Sequence, residues 1–259
     1  MPFRILLSSC ICLFILGASS CKEEVLAPAD AAVLARYYPV ELNRPAYFRV
    51  DSIVLVNTVS GTRYDTARLE ARETLVEQFT GGDGSVVYRG ERWERATESE
   101  PFRYKQTYTV TLTERSVLRS EDNLTFTKLV LPLRETTEWD GNADFDAART
   151  VAVGGEFLDV YNGWVYHYAA VGESLQLETG LALDSVVTVR QAEVDNLIDL
   201  RQAYERYAPG LGLVERFVDA RHTQCRVCCD GDTGSCVDLP WNEKAEKGYI
   251  IRQTLLRRE

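Results

Sequence analysis

From Tyr37 onward, apolar and polar residues alternate with a period of two. The clearest run is Tyr104 to Glu114, where Tyr104, Tyr108, Val110 and Leu112 fall on one face and Lys105, Thr107, Thr109, Thr111 and Thr113 on the other. Such a segment is a strand with one wet face. The same period marks Ala46–Asn57, Ala67–Phe79, Ser85–Arg95, Thr125–Arg134, Leu183–Gln191, Leu213–Asp219 and Tyr249–Leu256. Turn-formers such as Gly81-Gly82-Asp83-Gly84 and Glu121-Asp122-Asn123 separate them. Two stretches, Leu69–Phe79 and Val194–Tyr207, suit helical spacing as well. Many strands joined by short turns predict a mainly β fold, a curved antiparallel sheet or incomplete β-barrel with few short helices. Its apolar faces are expected to turn inward around a groove.

The amino terminus departs from this period. Arg4 precedes an apolar run from Ile5 to Leu16, which leads into Gly17-Ala18-Ser19-Ser20-Cys21. A helix that spans a bilayer needs about 20 apolar residues, so this shorter run reads as a secretory signal. A thiol directly after small residues resembles the bacterial lipoprotein signal, which implies that Cys21 is acylated and becomes the first residue of the mature chain. Ala18 stands where that family prefers leucine, as in the looser signals of Bacteroidota-type lipoproteins. Ordinary secretion would instead leave Cys21 as a reactive free thiol. The following Lys22-Glu23-Glu24 resembles the signal that sends such lipoproteins to the outer leaflet of the outer membrane. The expected organisation is a signal peptide over 1–20, an acylated tether over 21–36 ending in a short helix, and a single β-rich domain over 37–259. The expected location is the outer membrane, lipid-anchored, with surface exposure favoured over the periplasm-facing alternative.

Composition narrows the partners. Loss of residues 1–20 removes one cation, Arg4, and moves the formal charge from −10 to −11. Nucleic acid is therefore excluded as an expected partner. Hydrophobic residues at 45% and charged residues at 26% are enough for a packed core rather than a disordered chain. Three stretches, Trp139-Asp140-Gly141-Asn142, Tyr207-Ala208-Pro209-Gly210-Leu211-Gly212-Leu213-Val214 and Lys247-Gly248-Tyr249-Ile250-Ile251, resemble landmarks of Bacteroidota-type outer-membrane lipoproteins. The second stretch is also similar to lipoprotein-carrier-like half-barrels, which implies a curved sheet around an apolar groove.

Candidate chemistry centres on a Cys-rich loop over 221–240. Cys225, Cys228, Cys229 and Cys236 lie within twelve residues. In an oxidising compartment such thiols form disulfides, and adjacent Cys228 and Cys229 cannot easily bridge to each other, so each is expected to pair with Cys225 or Cys236. The rival arrangement is a zinc site built from His222, Cys225, Cys228 and Cys236. Asp140, Asn142, Asp144 and Asp146 alternate like the first half of a calcium loop. Phe145 and Val151, however, occupy the positions where that loop needs glycine and glutamate. No nucleophile elbow, phosphate loop, dinucleotide motif or zinc-protease helix is present, so no catalytic residue and no cofactor is expected. His167, within Trp164-Val165-Tyr166-His167-Tyr168, reads as part of an aromatic core or cleft wall. The chain is thus expected to be a non-enzymatic binding or interaction module for an apolar ligand or another envelope protein. A surface hydrolase using a carboxylate pair and a structural subunit of an envelope assembly are the alternatives.

Overall fold

The computed structural model describes residues 31–59, 61–224, 232–236 and 238–259. Cys21, Cys225, Cys228 and Cys229 lie outside the described residues, as does the side chain of Cys236. Helix α1 (Ala31–Tyr37) leads into β1 (Ala46–Thr58), β2 (Gly61–Thr80), β3 (Val86–Arg95), β4 (Arg103–Leu112), β5 (Ser116–Glu121) and β6 (Leu124–Val130). A crossing segment carries β7 (Glu138–Trp139), β8 (Thr150–Val153) and β9 (Glu156–Asp159). The chain then returns through β10 (Tyr166–Gln176), β11 (Ala182–Asp195), β12 (Asp199–Ala208) and β13 (Gly212–His222). Two single-turn helices, α2 (Thr233–Cys236) and α3 (Trp241–Lys244), precede β14 (Lys247–Arg258).

Twelve strands form one sheet in the order β6-β5-β4-β3-β2-β1-β14-β13-β12-β11-β10-β7, and β8 and β9 form a separate hairpin. The topology is two meanders joined side by side. One runs outward from β1 to β6, the other runs back from β10 to β14, and the two meet at the antiparallel β1–β14 pair. The free edges meet as well. Thr127 N donates to Gly141 O (2.9 Å), Trp139 Nε1 donates to Thr127 O (2.8 Å), and the Tyr168 hydroxyl donates to Val130 O (2.6 Å). These bonds draw the sheet into a nearly closed antiparallel barrel, the expected architecture, and nearly eliminate open edges. The two ambiguous stretches are strand: Leu69–Phe79 belongs to β2, and Val194–Tyr207 spans the end of β11 and most of β12. Pairing on both sides outweighs any local helical preference.

Outside, β1–β3 carry ion pairs such as Arg49 with Glu178, Arg68 with Asp51 and Arg89 with Glu77. That surface faces water, since charge on the lipid face of a membrane barrel is costly. Among the described residues no helix is long and apolar enough to cross a membrane.

The two ends of the barrel are filled differently. At one end α1 lies across the opening. Leu34, fully buried, joins a cluster with Tyr108, Val110, Leu129 and Tyr207, and Arg36 O accepts from Gly210 N (2.8 Å) in the β12–β13 turn. At the other end the β8–β9 hairpin inserts Leu158 and Val160 against inward-facing Ala203, Val218 and Ala220.

Two sequence expectations are corrected here. Tyr104 does not share a face with Tyr108. Arg92 pairs with Gln106 while Trp93 pairs with Tyr104, so Lys105 is an extra residue in β4. This bulge turns Tyr104 outward, 53% exposed, edge-on to Trp93 at 5.6 Å. The second correction concerns the lumen. Its α1 end is apolar and its other end is apolar only along the β12–β13 side, while its middle is a belt of paired charges rather than an apolar groove.

Candidate functional site

Alternation places Glu73 (β2), Arg92 and Glu94 (β3), Arg119 and Glu121 (β5), Lys128 (β6), Glu205 (β12) and Arg216 (β13) inside the barrel. Four carboxylates there face four cations. Glu73 accepts from Arg92 (2.8 Å) and from Arg119 (2.9 Å), and Arg119 also donates to Glu121 (2.9 Å). Arg92 reaches Glu94 and the Gln253 amide oxygen of β14, both at 2.8 Å. Across the lumen, Lys128 donates to Glu205 (2.8 Å), which also accepts from the Tyr207 hydroxyl (2.6 Å). Arg216 links the two halves loosely, 3.3 Å from Glu121 and 3.6 Å from Glu205.

Charges this deep persist only when paired, because an isolated buried ion is heavily penalised. Burial would raise the Glu73 carboxyl, but Arg119 and Arg92 outweigh it and hold the group below its ordinary range. Glu205 is lowered in the same way, with Lys128 and Arg216 overcoming burial. Glu121 is lowered likewise, with Arg119, Arg216 and Lys128 outweighing burial. Burial depresses Lys128 despite the attraction of Glu205. Tyr38, Tyr108 and Tyr207, which frame the belt, are raised by burial. Tyr108 is positioned by a glycine: a Cβ on Gly90 would lie 2.2 Å from its ring, whose other face carries the Arg119 guanidinium at 3.9 Å.

Above the belt, on the side away from α1, lies a cavity of about 340 Å³. Arg92, Glu121, Arg216 and Gln253 line its floor, and Glu94, Lys105 and Asp122 its rim. Leu124, Phe126, Tyr161, Tyr249 and Ile251 form its walls. The aromatic wall is fixed from behind. Phe126 lies 5.7 Å from Tyr161, and Tyr161 lies 5.2 Å from Phe145 and 5.3 Å from Trp164. The Lys105 bulge aims that side chain at the rim. The volume falls within the roughly 300–1,000 Å³ of small-molecule pockets.

The residues singled out by sequence lie elsewhere. His222 Nδ1 is 2.8 Å from Asp199 Oδ1 at the base of the Cys-rich loop. The disulfide and zinc alternatives both fall on cysteines outside the described residues. The four calcium candidates are not gathered around a common point. Asn142 is buried with its amide oxygen accepting from the Tyr166 hydroxyl (2.9 Å), whereas Asp144 and Asp146 are exposed. Among the described residues no group of three His, Cys, Asp or Glu side chains could hold a metal ion. His167 points away from the lumen between inward-facing Tyr166 and Tyr168. Period-two alternation carried a signal for the missed belt: Arg119 shares a face with buried Val117, and Arg216 shares one with buried Val218. The chain matches no family model, no curated protein and no solved structure.

Proposed function

We propose that the protein is a lipid-anchored envelope binding module, held in the outer membrane through Cys21, whose ligand enters the cavity at the barrel mouth. The cavity carries this reading. It is an open space of small-molecule size, backed by rigid aromatic rings and floored by a fixed charge network, which is how a preorganised site is built. The placement of α1 agrees with it. The first described element, α1, caps the barrel at the end opposite the mouth, so it leaves the mouth clear.

Binding is favoured over hydrolysis by a carboxylate pair. Such a pair needs one carboxyl kept protonated near neutral pH as the acid, but Glu73, Glu121 and Glu205 are all pushed the other way by neighbouring cations. An apolar ligand is also a poor match to this floor, because it would strip water from charged and polar groups without replacing their hydrogen bonds.

The test is a thermal-shift screen of the acylated protein in detergent against a soluble small-molecule library, run in parallel on Ile251→Trp, which fills the cavity. Compounds that stabilise the wild type and not the variant are the expected result. A screen in which every stabilising compound acts equally on both proteins would overturn the cavity as the site. For the anchor, Cys21→Ala should abolish incorporation of labelled fatty acid and release the protein from the membrane fraction.

A further inference from the structure

Within the mouth, charge cancels while hydrogen-bonding capacity does not. Arg92, Lys105 and Arg216 stand against Glu94, Glu121 and Asp122, so the lining is electrically balanced. The groups left over are mostly neutral. The hydroxyls of Tyr161 and Tyr249 and the side-chain amide of Gln106 make no hydrogen bond within the described residues, and none is sealed off from the cavity space. Gln253 uses its amide oxygen on Arg92 and keeps its amide hydrogens. Arg216, its side chain 30% exposed, adds a donor that its long contacts to Glu121 and Glu205 do not use up.

Each class of ligand meets this set differently. An apolar chain would cover the two tyrosine hydroxyls and the glutamine amide without a partner for any of them. A compact anion would meet three carboxylates as closely as it met three cations. A neutral ring bearing several hydroxyls satisfies both demands. Its hydroxyls exchange hydrogen bonds with Tyr161, Tyr249, Gln106 and Arg216, and its C–H face lies on the Phe126 and Tyr161 rings. We propose that the mouth cavity binds a saccharide, of a size between one and two sugar rings, at the end of a neutral glycan. The inference rests on the binding-module reading and deepens it.

The experiment uses the acylated full chain in a detergent without a sugar headgroup. It is titrated with maltose, cellobiose and di-N-acetylchitobiose as saccharide probes, and with octanoate and inorganic phosphate as apolar and anionic comparators. Calorimetry and saturation-transfer NMR supply the readouts. At least one saccharide should saturate a single site that Ile251→Trp abolishes. Tyr249→Phe and Tyr161→Phe, which keep the rings, should each weaken it about fivefold, the value of one hydrogen bond, with unchanged melting temperature. Octanoate or phosphate saturating the Ile251→Trp-sensitive site in place of every saccharide would overturn the ligand class and leave the cavity as the binding site. Failure of all the saccharides to bind also overturns the ligand class, while the library screen judges the cavity on its own terms.

Discussion

The α1 end and the mouth end of this barrel are built from the same strands with the same alternating pattern, yet one is nearly filled and the other open. At the α1 end, Leu34 descends onto Tyr108, Val110 and Tyr207, and the packing leaves a cavity of only about 50 Å³ beside Tyr38 and Leu75. At the mouth, Leu158 and Val160 fill only the β12–β13 side, and the remaining space is lined by groups that water or a ligand can satisfy. The charged belt separates the two. A barrel of this girth has more lumen than its strand residues fill, and the difference between its ends shows where the chain supplies a plug and where it leaves room.

The sharpest way to break that arrangement is acid. The folded-state pKa values of Glu73, Glu121 and Glu205 lie below those of an unfolded chain, so the folded state binds fewer protons there. The stability these groups contribute is present above the unfolded carboxyl pKa of about 4.3 and is lost progressively as pH falls below it toward the folded values. Melting temperature followed from pH 7 to pH 2 should therefore hold nearly level at first and fall steeply below about pH 4. A flat profile through that window would show that the belt is not paired as described.

A smaller and more local break comes from a single partner. Glu205 is 1% exposed, and Glu205→Ala would leave Lys128 buried without its counter-charge. Orphaning a buried ion in this way costs about 3–5 kcal/mol, measurable by chemical denaturation. Glu205→Ala combined with Lys128→Met should recover much of that loss, because a neutral side chain of similar volume carries no desolvation penalty. If the double variant is no more stable than Glu205→Ala, the pair is not an isolated unit within the belt.

How far the sequence foretold this molecule follows from what alternation can register. The strands around Ala46–Asn57, Ser85–Arg95 and Tyr249–Leu256 were legible, because a half-buried strand writes its two faces directly into the chain. The Lys105 bulge was not, since one extra residue reverses every side chain before it while leaving the composition untouched, and so Tyr104 was assigned to the wrong face. The charge belt was overlooked for a different reason. Glu73 and Glu205 look like ordinary solvent-facing residues until closure of the sheet brings strands distant in sequence together, as Lys128 and Glu205 are, 77 positions apart. The mouth cavity follows from that same closure. Its floor residues Arg92, Arg216 and Gln253 come from three strands that no local motif connects.

The gentlest comparison inserts the same bulk at both ends. Val110 is fully buried in the α1 cluster and Ile251 is half-buried on the cavity wall, and both face the lumen. At Val110 a tryptophan ring has nowhere to go without displacing Tyr108 or Leu34. Overpacking of this kind typically costs 1–3 kcal/mol, so Val110→Trp should lose about that much. Ile251 packs on one side against the cluster that holds Val50, and on its open side the ring can extend into about 340 Å³ of space beside Tyr249 and Phe126. The apolar surface it covers offsets the side-chain freedom it loses, and Ile251→Trp should leave unfolding free energy within about 0.5 kcal/mol of wild type. Denaturant titration of the two variants side by side measures the difference directly. Equal destabilisation at both positions would mean that the mouth is packed as tightly as the α1 end, and the cavity could not then admit a ligand.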